Sequence, residues 1–135
     1  MAVLALTDAS ITINSVSLGN RANSVSVNYE IDSIEVTAFG SGGHSFAGSL
    51  QNVSVEIALM QDFATSNVEA TIYGLVGTTT TLVIKPTSSA VGATNPSYTI
   101  TGAFLAAHTP VAGAVGELAM TTLSFTGGTI AKAIA

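Results

Sequence analysis

Residues Ser24–Gly48, SVSVNYEIDSIEVTAFGSGGHSFAG, constrain the fold more than any other stretch of the chain. Val25, Val27, Tyr29 and Ile31 alternate with polar residues, the period of a half-buried β-strand. The parity then flips, because Ile34, Val36 and Ala38 continue the apolar row one residue out of step. A turn or a bulge near Asp32-Ser33 restores a common face. Either device places Glu30, Asp32 and Glu35 on the face opposite the aliphatic row. A two-residue turn would set Glu30 directly across from Glu35, a like-charge pair that sheets avoid. No Lys or Arg lies between Arg21 and Lys85, so the strip has no basic partner close in sequence. It reads either as a solvated polar face or as a surface whose role is repulsion.

At 135 residues the chain is long enough for one domain with a real core, assigned here to residues 1–135. Hydrophobic residues make up 47% and charged residues only 8%, against about a quarter charged in an ordinary soluble domain. Ser and Thr must supply the polar surface instead. Hydroxyl groups cover a sheet well but resist association poorly, so part of the apolar surface is expected to be buried between subunits. The net charge of −5, with Arg21, Lys85 and Lys132 scattered along the sequence, argues against binding phosphate backbones. The absence of cysteine excludes a disulfide framework and thiol chemistry, and fits a reducing compartment. MAVLALTDAS lacks the basic region of a signal peptide, and no apolar run approaches the length of a membrane span, so no membrane role is expected.

Further strands are expected over Ser10–Leu18, Leu50–Leu59, Thr78–Lys85, Ser97–Ala107 and Leu118–Thr126. Gly19-Asn20 signals a turn and Gly40–Gly48 a glycine-rich loop. In Leu50–Leu59, Val53, Val55, Ile57 and Leu59 face one way, and Asn52, Ser54 and Glu56 the other. In Ser97–Ala107, Tyr98, Ile100 and Phe104 are expected on one face. One helix of two to three turns is expected within Asp62–Val76, opened by a capping box with Ser66 as N-cap and Glu69 reaching back, and closed by Gly77. Gly127-Gly128 reads as the start of a weakly structured tail. The sum is a mainly β fold, a β-sandwich or small barrel with one short flanking α-helix.

No catalytic constellation emerges, and an enzyme is not expected. His44 and His108 lie in loop segments with no metal-ligand spacing, and read as polar loop residues. GSGG at 40–43 lacks the Lys-Ser/Thr that completes a phosphate loop. Glu30, Asp32 and Glu35 lack the glycine and bidentate Glu of a calcium loop. No Trp is present to build a sugar-stacking platform. Neither a metal nor a cofactor is expected.

The runs VSVNYEIDSIEVTAFG and AGSLQNVSVEIALMQDF, then VEATIYGLVGTTTTLVIKPTSSAVGATNPSYTITG and GAVGELAMTTLSF, resemble in order the tail tube (major tail) proteins of long-tailed, siphovirus-type bacteriophages. The resemblance covers nearly the whole chain. It implies a structural subunit that forms rings, generally of six, through edge strands that pair between neighbours. The rings stack into a tube that conducts DNA during genome ejection. It also implies a place in the virion after assembly in the host cytoplasm, with tape-measure and tail terminator proteins as partners. A lumen lined by Glu30, Asp32, Glu35 and Glu56 would repel the DNA polyanion weakly and bind it nowhere. Gly40, Gly42, Gly43, His44 and Phe46 are the candidates for contacts between subunits or rings. Tube proteins often carry a charge after the Gly40 position and a basic residue before the Asn52 position. Ser41-Gly42-Gly43 and Gln51 stand there, which implies less reliance on salt bridges between rings. Two alternatives stay open. One is another virion protein, such as a head decoration, head–tail connector or tail terminator subunit. The other is a ligand-binding β-sandwich module.

Overall fold

Period-2 patterning dominates the chain, and the structure, a computed structural model describing residues 3–135, turns it into eight strands. Met1 and Ala2, assigned to the domain from the sequence, lie outside the described residues. In chain order the strands are β1 (Ser10–Ile13), β2 (Val16–Ser17), β3 (Ala22–Glu35), β4 (Phe46–Met60), β5 (Thr78–Lys85), β6 (Ser97–Leu105), β7 (Met120–Thr126) and β8 (Thr129–Ala133). All strand pairs are antiparallel, in the order β2-β1-β5-β6-β7-β4-β3, with β8 also paired to β6. The sheet curls so that strands from both ends enclose one core. Ile11 and Ile13 of β1 join Val53, Val55, Ile57 and Leu59 of β4, Leu82 of β5, Ile100 and Leu105 of β6, and Leu123 and Phe125 of β7. Helix α1 (Val68–Ile72) closes the core with Val68 and Ile72, both fully buried. No described helix is long and apolar enough to cross a membrane.

The expected β4 row is present, since Val53, Val55, Ile57 and Leu59 are buried. β5 spans Thr78–Lys85, the segment expected from its β-branched run. Other expectations change. Ser10–Leu18 is not one strand but a hairpin, because Asn14 and Ser15 take φ of 49° and 68° and form a two-residue turn between Ile13 and Val16. The helix lies inside Asp62–Val76 and continues as a 3-10 turn over Tyr73–Leu75. Its N-cap is Asn67, whose Oδ1 accepts from Val68 N at 3.1 Å. Ser66, at φ 59°, is outside the helix, so the expected capping box does not form.

Two strand-level corrections come from glycine. Gly102 sits at φ +80°, and the β5–β6 register shifts between Thr80 and Thr81. The alternation breaks there, so Ala103 and Leu105 are buried while Phe104 turns outward, away from Ile100. Gly127 and Gly128, at φ +80° and +86°, do not open a loose tail. They reverse the chain into β8, which pairs with β6 from Ser97↔Ala133 to Thr101↔Thr129.

Candidate assembly surface

β3 and β4 form a long hairpin, of which β4 from Val53 onward supplies fully buried core residues and β3 packs Ala22, Val25 and Val27 against them. Beyond Tyr29 the two strands have no third strand among the described residues. Tyr29, Ile31, Ile34, Phe46 and Leu50 are each at least half exposed there. A two-stranded ribbon is marginal in water, and exposed apolar side chains on one mark a contact surface. Among the described residues β3 pairs only with β4, so its outer edge is open along Ala22–Glu35. Open edges of this length invite pairing with another chain.

The parity flip in the sequence is not undone by a turn or a bulge in β3 at Asp32-Ser33. Ile31 pairs with Gln51 and Ser33 with Gly48, so the extra residue lies on β4, where Ser49-Leu50 stand opposite Asp32. β3 alternates there without a break, Ile34 falls on the face of Glu30 and Asp32, and the expected common apolar face is not restored. Glu30 therefore faces Asn52, not Glu35. Paired residues share a face. Ser26, Asn28 and Glu30 of β3 thus lie with Glu56, Ser54 and Asn52 of β4, and Ser124 and Thr126 of β7 extend the same face. This face is mainly polar and carries no basic side chain, although Ile34 and Phe104, the partner of Thr126, also stand on it. Alternation along β3 puts Asp32 on it as well, and carries Glu35 to the other face beside Phe46.

The carboxylates differ in their partners. Asn28 Nδ2 donates to Glu30 Oε1 at 3.0 Å, and Ser124 Oγ donates to Glu56 Oε1 at 3.4 Å. Glu35 bonds His44 and accepts from Thr37 Oγ1 at 2.8 Å. The His44 bond first, and the Thr37 bond second, hold the Glu35 carboxyl below its ordinary range. So His44, expected as a polar loop residue, ties the hairpin tip across the strands. Val36 N donates to Ser45 O at 2.8 Å, and Ser45 N donates to Thr37 Oγ1 at 2.9 Å. The loop expected over Gly40–Gly48 is thus shorter, because Phe46, Ala47 and Gly48 already belong to β4. Gly40 stands at φ +89° in the loop, and a Cβ on Gly42 or Gly43 would meet nothing within 4 Å.

Several long-range partners were invisible in the sequence. The His108 side chain is buried: its Nε2–H donates to Glu69 Oε2 at 2.8 Å, and its Nδ1 lies 3.3 Å from Thr121 Oγ1. Gln61 Nε2 donates to the same Glu69 oxygen and to Pro110 O. This network pins helix α1 to the β6–β7 loop. Arg21 Nε donates to Asp62 Oδ2 at 2.7 Å. Among the described residues no three His, Asp or Glu side chains gather into a metal site.

Solved structures with this fold come from injection and tail machinery. A chain of an extracellular contractile injection system, in its sheath–tube complex in the extended state, superposes with a TM-score of 0.71 at 11% identity, over 98% of this chain and 93% of that one. A chain from the sheath/tube terminator of the same type of system gives 0.71 at 12%, over 96% of each. A chain from the virion of a native gene transfer agent gives 0.64 at 14%, over 96% of this chain and 98% of that one. No protein-family model and no curated protein matches the sequence. At these identities the shared property is the fold alone. It agrees with the resemblance drawn from the sequence.

Proposed function

We propose that this chain is a structural subunit of a phage-like tail tube. Subunits join into rings, of six copies, and the rings stack. The observation that carries this reading is the open edge of β3, fourteen residues long, on a hairpin that leaves Tyr29, Ile31, Ile34, Phe46 and Leu50 at least half exposed. Pairing that edge with a neighbouring copy satisfies its backbone groups and buries the ribbon. The polar face carrying Glu30, Asp32 and Glu56 then lines the lumen. Carboxylates, amides and hydroxyls there give DNA no cation to bind, so the genome slides through. Glu35 belongs instead to the hairpin contacts, with Gly40, Gly42, Gly43, His44 and Phe46 at the tip. The protein resides in the virion tail after assembly in the host cytoplasm. A tape-measure protein and a terminator protein are its further partners, and no catalysis is involved. Negative-stain microscopy of the purified protein at high concentration tests the reading. Stacked rings are expected, and a monodisperse monomer would refute it.

The match to a terminator chain, as good as that to the sheath–tube complex, supports a second reading. A terminator forms a closed ring and does not extend. Single rings with no stacks in the same micrographs would favour it.

A further inference from the structure

A wedge-shaped cleft of about 370 Å³ opens where β3 parts from the facing strands. Its walls are apolar, with Val25, Val27 and Tyr29 of β3 opposite Ile84, Tyr98 and Ile130 of β5, β6 and β8. Its rim is basic. Lys85 lines it, and Lys132 pairs with Tyr98 and so stands on the same face as Tyr98 and Ile130. These are two of the three basic residues in the chain, and the third, Arg21, is held by Asp62. Neither lysine has a carboxylate within ion-pair distance among the described residues, and Lys85 Nζ donates to the Ser89 carbonyl. Asp8, which reaches this end through its bridge to Thr87, accepts from Ser88 N and Oγ.

The hairpin carries the complement of that cleft. Phe46 and Glu35 are register partners, so an aromatic ring and a carboxylate stand side by side on one face. Phe46 is 63% exposed. The Glu35 carboxyl, held low by His44 and Thr37, is ionised at neutral pH. The ring cannot fill its own cleft. Tyr29 in the cleft wall pairs with Val53, and Phe46 lies on the order of 20 Å further along β4.

We propose that Phe46 of one copy seats in the apolar cleft of a second copy, with Glu35 set against Lys85 and Lys132 on its rim. An apolar slot with a cationic rim fits an aromatic residue flanked by a carboxylate. The same contact brings together the two lysines that lack a carboxylate and a carboxylate that is ionised and half exposed. The proposal rests on self-assembly but names its interface, so the two can fail separately.

The test uses the full chain. Wild type is first assayed by sedimentation and negative stain, and failure to assemble would overturn both readings. Glu35→Lys alone, and Lys85→Glu with Lys132→Glu, should each reduce the sedimenting fraction at least tenfold. The three changes together should restore most of it. Because Glu35→Lys also removes the bond to His44, a covalent probe is needed as well. The chain has no cysteine, so Phe46→Cys combined with Lys132→Cys should yield a ladder of reducible oligomers on oxidation. Single-cysteine variants should yield none beyond dimers. Assembly that ignores the charge reversals, absence of rescue, or absence of the ladder in a protein that still assembles would each overturn the proposed contact and leave the tube reading intact.

Discussion

Replacing Gly128 by Ala tests how the chain turns into its last strand. Gly128 stands at φ +86°, and an added Cβ would lie 2.3 Å from Thr101 O, 2.9 Å from Gly102 C and 3.1 Å from Ala103 N. All three atoms are backbone in β6, so no side chain can swing aside. Gly127 supplies the control. It has nearly the same φ, +80°, but a Cβ there would meet nothing within 4 Å. An L-residue in this left-handed region costs about 1–2 kcal/mol. Stiffening the unfolded chain returns about 0.4–1 kcal/mol, so Gly127→Ala should lose roughly 1 kcal/mol. Gly128→Ala carries the same terms plus a steric one, and overpacking costs about 1–3 kcal/mol. Its total should be about 2–4 kcal/mol. For a domain of this size that is about 6–15 °C in Tm. β8 should loosen first, so amide exchange should accelerate at Ile130 and Ala131 before it does in β4. Urea denaturation of both variants measures the difference. Equal losses for Gly127→Ala and Gly128→Ala would show that β8 does not pack against β6 at Thr101–Ala103, and the reasoning would fall.

Thr80 Oγ1 is buried with no hydrogen-bond partner. Thr80→Val keeps the shape and removes the unpaired hydroxyl, so thermal unfolding should show a gain of about 1 kcal/mol. The Ala64 backbone amide first, and the Arg21 side chain second, hold the Asp62 carboxyl below its ordinary value of 3.8. A carboxyl lowered in the folded state contributes stability above its unfolded value and loses it as pH falls through the folded value. Urea midpoints of the wild type should therefore drop below about pH 4, and Asp62→Asn should show a shallower decline. Glu30→Gln and Glu56→Gln should leave folding and assembly nearly unchanged, because exposed charges interact weakly in water. Glu30→Lys and Glu56→Lys should give tailed particles that adsorb but release DNA slowly, since each ring multiplies the new charge. Normal release from such particles would remove the lumen assignment.

Local chemistry made much of this protein legible. Backbone alternation and β-branched composition act within one strand, so β4 and β5 could be read from Leu50–Leu59 and Thr78–Lys85. The single helix was legible for the same reason, although Asn67 rather than Ser66 caps it. Low charge and the absence of a catalytic pattern already pointed to an assembling structural chain. Tertiary structure decided the rest, because it depends on which strand meets which. The parity flip at Asp32-Ser33 suggested a turn or a bulge there, and only the pairing of Ile31 with Gln51 and Ser33 with Gly48 showed that the extra residue is on β4 and that β3 keeps its alternation. Gly128 looked like a loose tail because the contact that demands a missing side chain comes from Thr101, far away in sequence. His108 looked like a surface residue until the fold set Glu69 and Thr121 against its ring. Lys85 and Lys132, scattered along the sequence, converge on one cleft because β5 and β8 both pair with β6. Sequence determines these faces through short-range periodicity, and their partners are chosen by long-range register, which no local pattern encodes.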